Sequence, residues 1–311
     1  PNARFVLVTG DLVDQGYVQE QWDLFFETAQ ADLSGLPIAP AIGNHDVIRD
    51  ETAEYFKAHF HLPRNGPVGM EEEVYSFEYG PVHVAVLDTE RELALQAAWL
   101  REDMADVERP WKVVALHRGP YGSQYDSDHV RRALGPAFDE LGVDLVLAGH
   151  DHAYIRSHPM SGEARVEEGR GTVYVVAGSA GPKFYPRTFR EWQKRVVDQE
   201  TQIYVAASVT PDKLWLRAFT VDGMLVDNLT LRKAAAPPPD VAGLGAVADD
   251  HKVTLHWTPP GGSWVDEVQV FVADPLGGVP VQPTHVLRPE VDHVGTRGLN
   301  NGVDYTFVVR T

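Results

Sequence analysis

Phe5-Val6-Leu7-Val8-Thr9-Gly10-Asp11 begins as an apolar run and ends in a turn residue followed by a carboxylate. A short continuous apolar run bounded by a turn signal is consistent with a strand buried on both faces. The same grammar recurs downstream. The strand expected at Ile38–Ile42 ends in Gly43-Asn44-His45-Asp46, and the one at Val113–Leu116 ends in His117. The strand at Val143–Leu147 leads to Gly149-His150-Asp151-His152. Between the runs, apolar residues recur at helical spacing: Val18, Trp22, Phe25, Phe26, Ala29 and Leu33, then Leu93, Ala97, Leu100, Met104 and Val107. Ser127 is placed as an N-cap, with Pro136 starting a second helical turn. Strands that alternate with helices predict an α/β sheet. Ligands of open α/β sheets bind outside the carboxyl ends of the strands, so these polar loops are expected to converge at one edge.

From Thr172 the character changes. Strands are expected at Thr172–Val176, Ile203–Ser208, Lys213–Phe219 and Met224–Leu231, with Asp222-Gly223 as a hairpin turn, whereas the strand expected at Val82–Leu87 belongs to the preceding α/β stretch. Ala234-Ala235-Ala236-Pro237-Pro238-Pro239 reads as a short stiff spacer, because proline fixes φ and cannot donate a hydrogen bond. Beyond it helical periodicity disappears. Val253–Trp257, Val268–Val272 and Tyr305–Val309 alternate as strands, and Pro259-Pro260-Gly261-Gly262 reads as a turn, so an all-β sandwich is expected. The expected division is residues 1–232, a linker at 233–239, and residues 240–311.

Length and charge bound the function. The 311 residues suggest two domains at roughly 150 residues each. With 27 Lys+Arg against 45 Asp+Glu the net charge is −18, which repels nucleic acid and anionic membranes. A phosphorylated substrate would then need a local cation. The chain has no cysteine, which excludes disulfides, thiolate zinc sites and a cysteine nucleophile. No apolar run is long enough to span a membrane. The chain opens at Pro1 and enters a strand by Phe5, so its natural start is expected to lie upstream.

The collected side chains are a carboxylate, an amide oxygen and imidazoles, a donor set suited to Zn, Fe or Mn and unsuited to soft Cu(I). Taken singly, Gly10-Asp11, Gly43-Asn44-His45-Asp46 and His117 are ordinary strand-end chemistry. Gly149-His150-Asp151-His152 is different, since two histidines flanking an acid have no packing use. In an extended segment His150 and His152 would face the same side, and Asp11 between them could serve two metals at once.

This series resembles the motifs of calcineurin-like metallophosphoesterases. His117-Arg118-Gly119-Pro120-Tyr121 and His152-Ala153-Tyr154-Ile155-Arg156-Ser157 are similar to the wording of the purple acid phosphatase-like branch. The resemblance covers about residues 1–232. It implies a four-layer αββα sandwich with two metal ions, Fe, Mn or Zn, at one edge. It implies that Asp11 bridges both ions, that Asn44, His117 and His150 hold one, and that His152 holds the other. His45 would lie beside the leaving group, with Asp46 orienting its ring. Two departures stand out: the family's earlier Asp-x-His motif is not present, and Asp14 occupies the position where purple enzymes carry a Tyr. Asp14 itself reads as a solvated loop acid. The tail from about Pro238 resembles a fibronectin type III domain in Trp257 and Leu299…Tyr305-Thr306-Phe307-Val308-Val309, with Tyr305 at the tyrosine corner and the last strand absent.

The implied chemistry is hydrolysis of a phosphomonoester or phosphodiester by a metal-bound hydroxide, with His45 giving a proton to the departing alkoxide. The substrate would be a phosphorylated small molecule or polymer. The fibronectin-like part would contact a surface or polysaccharide, and the protein would be extracellular or on the cell surface. Asp88, Arg118, Tyr121 and the loop Gly178-Ser179-Ala180-Gly181 are weaker candidates for lining the site. The residues also leave open a metallo-hydrolase of another ester, or a binding protein with a vestigial site. The complete set of histidines argues against the last.

Overall fold

The computed structural model describes residues 3–50, 52–197, 199–233, 241–259, 268–273, 283–288 and 290–310. The chain divides into two compact units, Pro1–Ala234 and Ala235–Thr311. The proline spacer, and residues 260–262 of the expected Pro-Gly turn, lie outside the described residues. Among the described residues no helix is long and apolar enough to cross a membrane.

In the first unit the elements run β1 (Val6–Val8), α1 (Gln19–Leu33), β2 (Ile38–Pro40), α2 (Glu54–His59), β3 (Tyr75–Tyr79), β4 (Val82–Val86) and α3 (Leu93–Asp103). They continue with β5 (Trp111–Arg118), α4 (Asp128–Leu141), β6 (Leu145–Gly149), β7 (Tyr154–Ser157), β8 (Met160–Ser161), β9 (Ala164–Arg165) and β10 (Val173–Ala177). The last four are β11 (Gln193–Val197), β12 (Ile203–Thr210), β13 (Lys213–Thr220) and β14 (Leu225–Arg232).

The strands do not form the single sheet that their alternation with helices suggests. A seven-stranded sheet has the order β11-β7-β10-β6-β5-β4-β3, while β1-β2 is a separate parallel pair and β12-β13-β14 a separate antiparallel sheet. Side chains that alternate along the seven-stranded sheet explain the layering. Val84, Val86, Val113, Ala115, Leu145, Val173 and Val175 share a core with Ala39, Ala41 and Ile42 beside β1-β2, with Leu214, Leu216 and Leu229 of the three-stranded sheet, and with Trp22 of α1. Ala85, Val114, Leu116, Val146, Ala148, Tyr174 and Val176 point the other way, against Leu100 of α3 and Leu134 and Phe138 of α4. His117 follows Trp111, Val113 and Ala115 at every second position of β5. It therefore points into the gap between two sheets, where the β1 and β2 loops also end.

Pro136 sits inside α4 rather than at the start of a new turn. The apolar face formed by Val130, Leu134, Ala137 and Phe138 is buried, and burying side chains of this size, at about 1.5–3 kcal/mol each for the larger ones, outweighs the lost backbone bond. Ser127 occupies the N-cap position without a side-chain cap bond. Helix α2 and strands β3, β7 and β11 were not legible as periodic runs. Each is short, and β11 is largely exposed.

The second unit holds β15 (Ala242–Asp249), β16 (Lys252–Thr258), β17 (Val268–Ala273), β18 (His285–Leu287), β19 (His293–Arg297) and β20 (Thr306–Arg310). They form two three-stranded antiparallel sheets, β15-β16-β19 and β18-β17-β20. Leu255 and Trp257 of the first sheet bury against Val268 and Val270 of the second.

Candidate metal centre

Two loops meet back to back beneath the site. After β1 the chain turns through Gly10 (φ 88°) and Asp11 (φ 55°), and after β2 it turns through residues 43–49. A Cβ on Gly10 would lie 2.7 Å from the Gly43 nitrogen and 2.7 Å from His117 Nδ1, so only glycine lets these segments touch. Asp46 locks the pair together. Its Oδ1 accepts the N–H groups of Leu12 (2.8 Å) and Val13 (3.2 Å), and its Oδ2 accepts those of Asp11 and Gly43 (both 2.8 Å). Burial pushes this carboxyl up to about 7 against those four donors, which favour the anion.

Asp46 therefore does not orient the His45 ring. Both of its oxygens are occupied by backbone, and its side chain is 0% exposed. His45 Nδ1 instead lies 2.8 Å from the Asp14 carbonyl and 3.4 Å from Asp14 Oδ1. Asp14 is an exposed loop acid that contacts this ring. Trp22, fully buried, donates its indole N–H to the Gly16 carbonyl (2.7 Å) and so fixes the loop from the α1 side.

Four donors from four strand ends come together. Asp11 Oδ2 is 3.2 Å from His117 Nε2, Asn44 Oδ1 is 3.1 Å from the same nitrogen, and His150 Nδ1 is 3.2 Å from it. The ligand atoms of Asp11, His117 and His150 all lie within 4.8 Å of one another. Burial alone would raise Asp11, but the hydrogen bond and charge of His117 hold it below the usual carboxylate range. Burial would lower His117, yet Asp11 outweighs it and raises the imidazole. His150 is pushed down to about 3, by burial first and then by His117 and Arg118, so its ring is neutral.

The donor chemistry fits a hard-to-borderline cation. His117 donates Nδ1–H to the Thr9 carbonyl (2.7 Å), and a carbonyl can only accept, so in the neutral ring the Nε2 lone pair faces Asp11 and Asn44. This is the outer-shell bond by which metal-ligating histidines are usually oriented. His152 shows the same pattern toward the Lys183 carbonyl (2.9 Å). His150 is arranged differently. Arg118 donates to its Nε2 (3.0 Å) while a two-pronged ion pair with Glu90 (2.8 and 3.0 Å) holds the guanidinium. Holding an ion through Nδ1 requires the Arg118 contact to open, because Nε2 must then carry the proton.

His152 does not join the cluster of three. His150 adopts φ 64° and residues 150–153 bend, so the segment is not the extended one in which both rings would share a side. Tyr121 also lies elsewhere: it is buried against Tyr174 and carries Arg131 over its ring. Asp88 is a buried turn residue whose Oδ1 accepts the Glu90 N–H (2.8 Å), and burial raises it to about 7. Ser179 of the glycine-rich loop accepts the Ile203 N–H at its carbonyl (3.0 Å), a tie to β12. Asp151, between the two histidines, turns inward and accepts the N–H groups of Ser123 and Tyr125. Sequence reasoning missed Tyr125, Glu90, Lys183 and Tyr185, each of which contacts a histidine of the site or the arginine beside it.

A strand-end cluster of this composition, at the edge where two sheets pack, is able to hold a metal ion. Residues 1–154 match the model of the calcineurin-like phosphoesterase family. Within that class the likeness is to purple acid phosphatases. Purple acid phosphatase 18 of Arabidopsis thaliana is 31% identical over 194 residues, covering 56% of this chain and 43% of its own. Acid phosphatase type 7 of Mus musculus is 28% identical over 195 residues, covering 51% and 43%. A purple acid phosphatase structure from yellow lupin (Lupinus luteus) seeds superposes with a TM-score of 0.65 at 21% identity, over 74% of this chain and 47% of that one, which shows the fold. The chain spans less than half the length of these curated relatives.

Proposed function

We propose that this chain hydrolyses phosphate esters with the aid of bound metal ions. The observation that carries the reading is the convergence of Asp11, Asn44, His117 and His150 from four separate strand ends. In this reading those four hold one cation, and His152 with a shared Asp11 holds a second. When bound, such ions supply Lewis acidity and offset the charge of an ester that a chain of net charge −18 would otherwise repel. The remaining steps belong to the chain. Asp46 fixes the two loops, the Asp14 carbonyl fixes the His45 ring, and the imidazolium of His45 gives its Nε2 proton to the departing alkoxide. Asp46 thus acts by positioning rather than in proton transfer.

We read the second unit as fibronectin type III-like. Its paired three-stranded sheets, the buried Trp257 and the Tyr305 hydroxyl accepting the Asn300 N–H at 3.1 Å support this. Such an appendage suits a secreted or surface protein that touches a polymer or cell surface.

The test is a screen of chromogenic phosphomonoesters, phosphodiesters and carboxyl esters with Mn-, Zn- and Fe-loaded protein. Cleavage of phosphate esters that a chelator abolishes is expected. Cleavage of carboxyl esters alone would overturn the reading.

A further inference from the structure

We propose that Tyr125 and Tyr185 form a stacking wall that makes this site prefer phosphate esters whose leaving group carries a planar aromatic ring. The inference rests on the phosphate-ester reading above and adds a substrate class to it. Tyr185 stacks on His152 (ring centres 4.4 Å apart, planes 23° apart), and the Tyr125 ring lies 4.8 Å from that of His150. The two tyrosines meet edge to face at 5.5 Å, and Lys183 Nζ lies 5.3 Å from the Tyr185 ring centre. Neither tyrosine belongs to a hydrophobic core, and Tyr125 is 41% exposed. Aromatic surface is therefore presented beside the rings proposed to hold the metals, outside either hydrophobic core of the unit.

The wall is preorganised. Asp151 accepts the N–H groups of Ser123 and Tyr125, and a Cβ on Gly122 would come within 2.9 Å of that carboxylate. Ser123 Oγ bonds both the N–H (2.8 Å) and the carbonyl (2.9 Å) of Thr188, and Trp192 donates its indole N–H to the Gly122 carbonyl (2.9 Å). Loops 119–127 and 179–192 are thus one frame, clamped to the residue between His150 and His152. Residues 183–185 border the mouth of the proposed site at His152, whose Nδ1 lies 2.9 Å from the Lys183 carbonyl and whose ring stacks on Tyr185. A ring entering this mouth gains stacking at little ordering cost, because the tyrosines are already held.

Benzylphosphonate and cyclohexylmethylphosphonate separate this idea from its foundation, since they match in charge and nearly in size but differ in planarity. We would titrate both, with inorganic phosphate, into the Mn-loaded full chain by calorimetry. Benzylphosphonate should bind about three- to tenfold more tightly than its saturated counterpart. Tyr125→Leu and Tyr185→Leu should bring that ratio toward one, and Tyr185→Phe should preserve it. The ratio is taken within each variant, so a loss common to both ligands cancels. Equal binding of the two phosphonates by a protein that binds inorganic phosphate would overturn the wall and leave the phosphate-ester reading standing. A preference that survives both leucine variants would overturn it as well. Failure to bind inorganic phosphate would overturn the phosphate-ester reading, and this inference with it.

Discussion

The inner donors and the outer histidines of the site are built to different standards. His117 is 1% exposed, rises from the end of a central strand, and shares its Nε2 with Asp11, Asn44 and His150. His45 and His152 stand on bends, half-buried, and each is tethered by one ring nitrogen to a backbone carbonyl. The inner group is anchored by the buried strand residue His117 and by the Asp46 lock between the loops that carry Asp11 and Asn44, whereas each outer ring has a single backbone tether. Rigid placement suits ligands, and a ring on a loop with one free nitrogen suits a group that must hand over a proton or complete a weaker site.

The largest effect should come from the residue that makes the inner group rigid. Asp46→Ala leaves four N–H groups unpaired at once, two of them, those of Val13 and Gly43, fully buried. At about 1–3 kcal/mol for each unsatisfied group, with partial relief by water, roughly 3–6 kcal/mol of stability should be lost. Asp46→Asn keeps one acceptor oxygen and should lose less. Thermal denaturation of both variants reads this directly, and a melting temperature unchanged in Asp46→Ala would mean that the loops hold themselves.

The outer pair should respond in chemistry rather than stability. His45→Ala should slow turnover of alkyl phosphates by about 10²–10⁴-fold and of nitrophenyl phosphates much less, with metal content intact. The backbone N–H of residue 45 donates to Asp11 Oδ1 (2.9 Å) and survives the substitution, so the cluster is left in place. Equal losses for good and poor leaving groups would remove His45 from proton transfer, and loss of metal would move it into the inner group.

Metal titration sharpens the comparison further. Four convergent donors against His152 and a shared Asp11 should give two unequal affinities, the first tighter by about 10- to 100-fold. Retention of two ions with equal affinity after gel filtration would show that another residue completes the outer position.

The contrast also marks what the sequence could and could not disclose. Strand ends were legible because apolar runs stop abruptly at Gly10, Gly43, His117 and Gly149, and the donors sit at those stops. The convergence was legible in outcome but not in cause. Periodicity shows that a strand is buried, not which sheet it joins, so a single sheet edge was expected where two packed sheets supply the loops. Asp46 was assigned to the neighbouring ring because a carboxylate beside a histidine reads the same way whether it faces that ring or four backbone amides. Tyr125 and Tyr185 gave no signal. They lie 60 residues apart and meet only because Asp151 and Ser123 clamp their loops together.

The smallest expected effect tests whether the outer histidine depends on its loop's charge or on its shape. Asp14 offers His45 two partners, a carbonyl at 2.8 Å and a carboxylate oxygen at 3.4 Å. The carboxylate is 73% exposed, and an ion pair so open to water and salt contributes at most about 1 kcal/mol. Asp14→Asn removes the charge and keeps the carbonyl, so turnover of an alkyl phosphate should fall by no more than about fivefold, and less at high salt. Proline at position 15 would probe the other partner, because it restricts the backbone that presents the carbonyl and also removes the Gln15 N–H that donates to Gln21 Oε1 (2.8 Å). Gln15→Pro should therefore cost more than Asp14→Asn. If Asp14→Asn instead abolished turnover of poor leaving groups, the carboxylate rather than the carbonyl would be the partner that sustains the His45 imidazolium, and the outer ring would be held by charge rather than by shape.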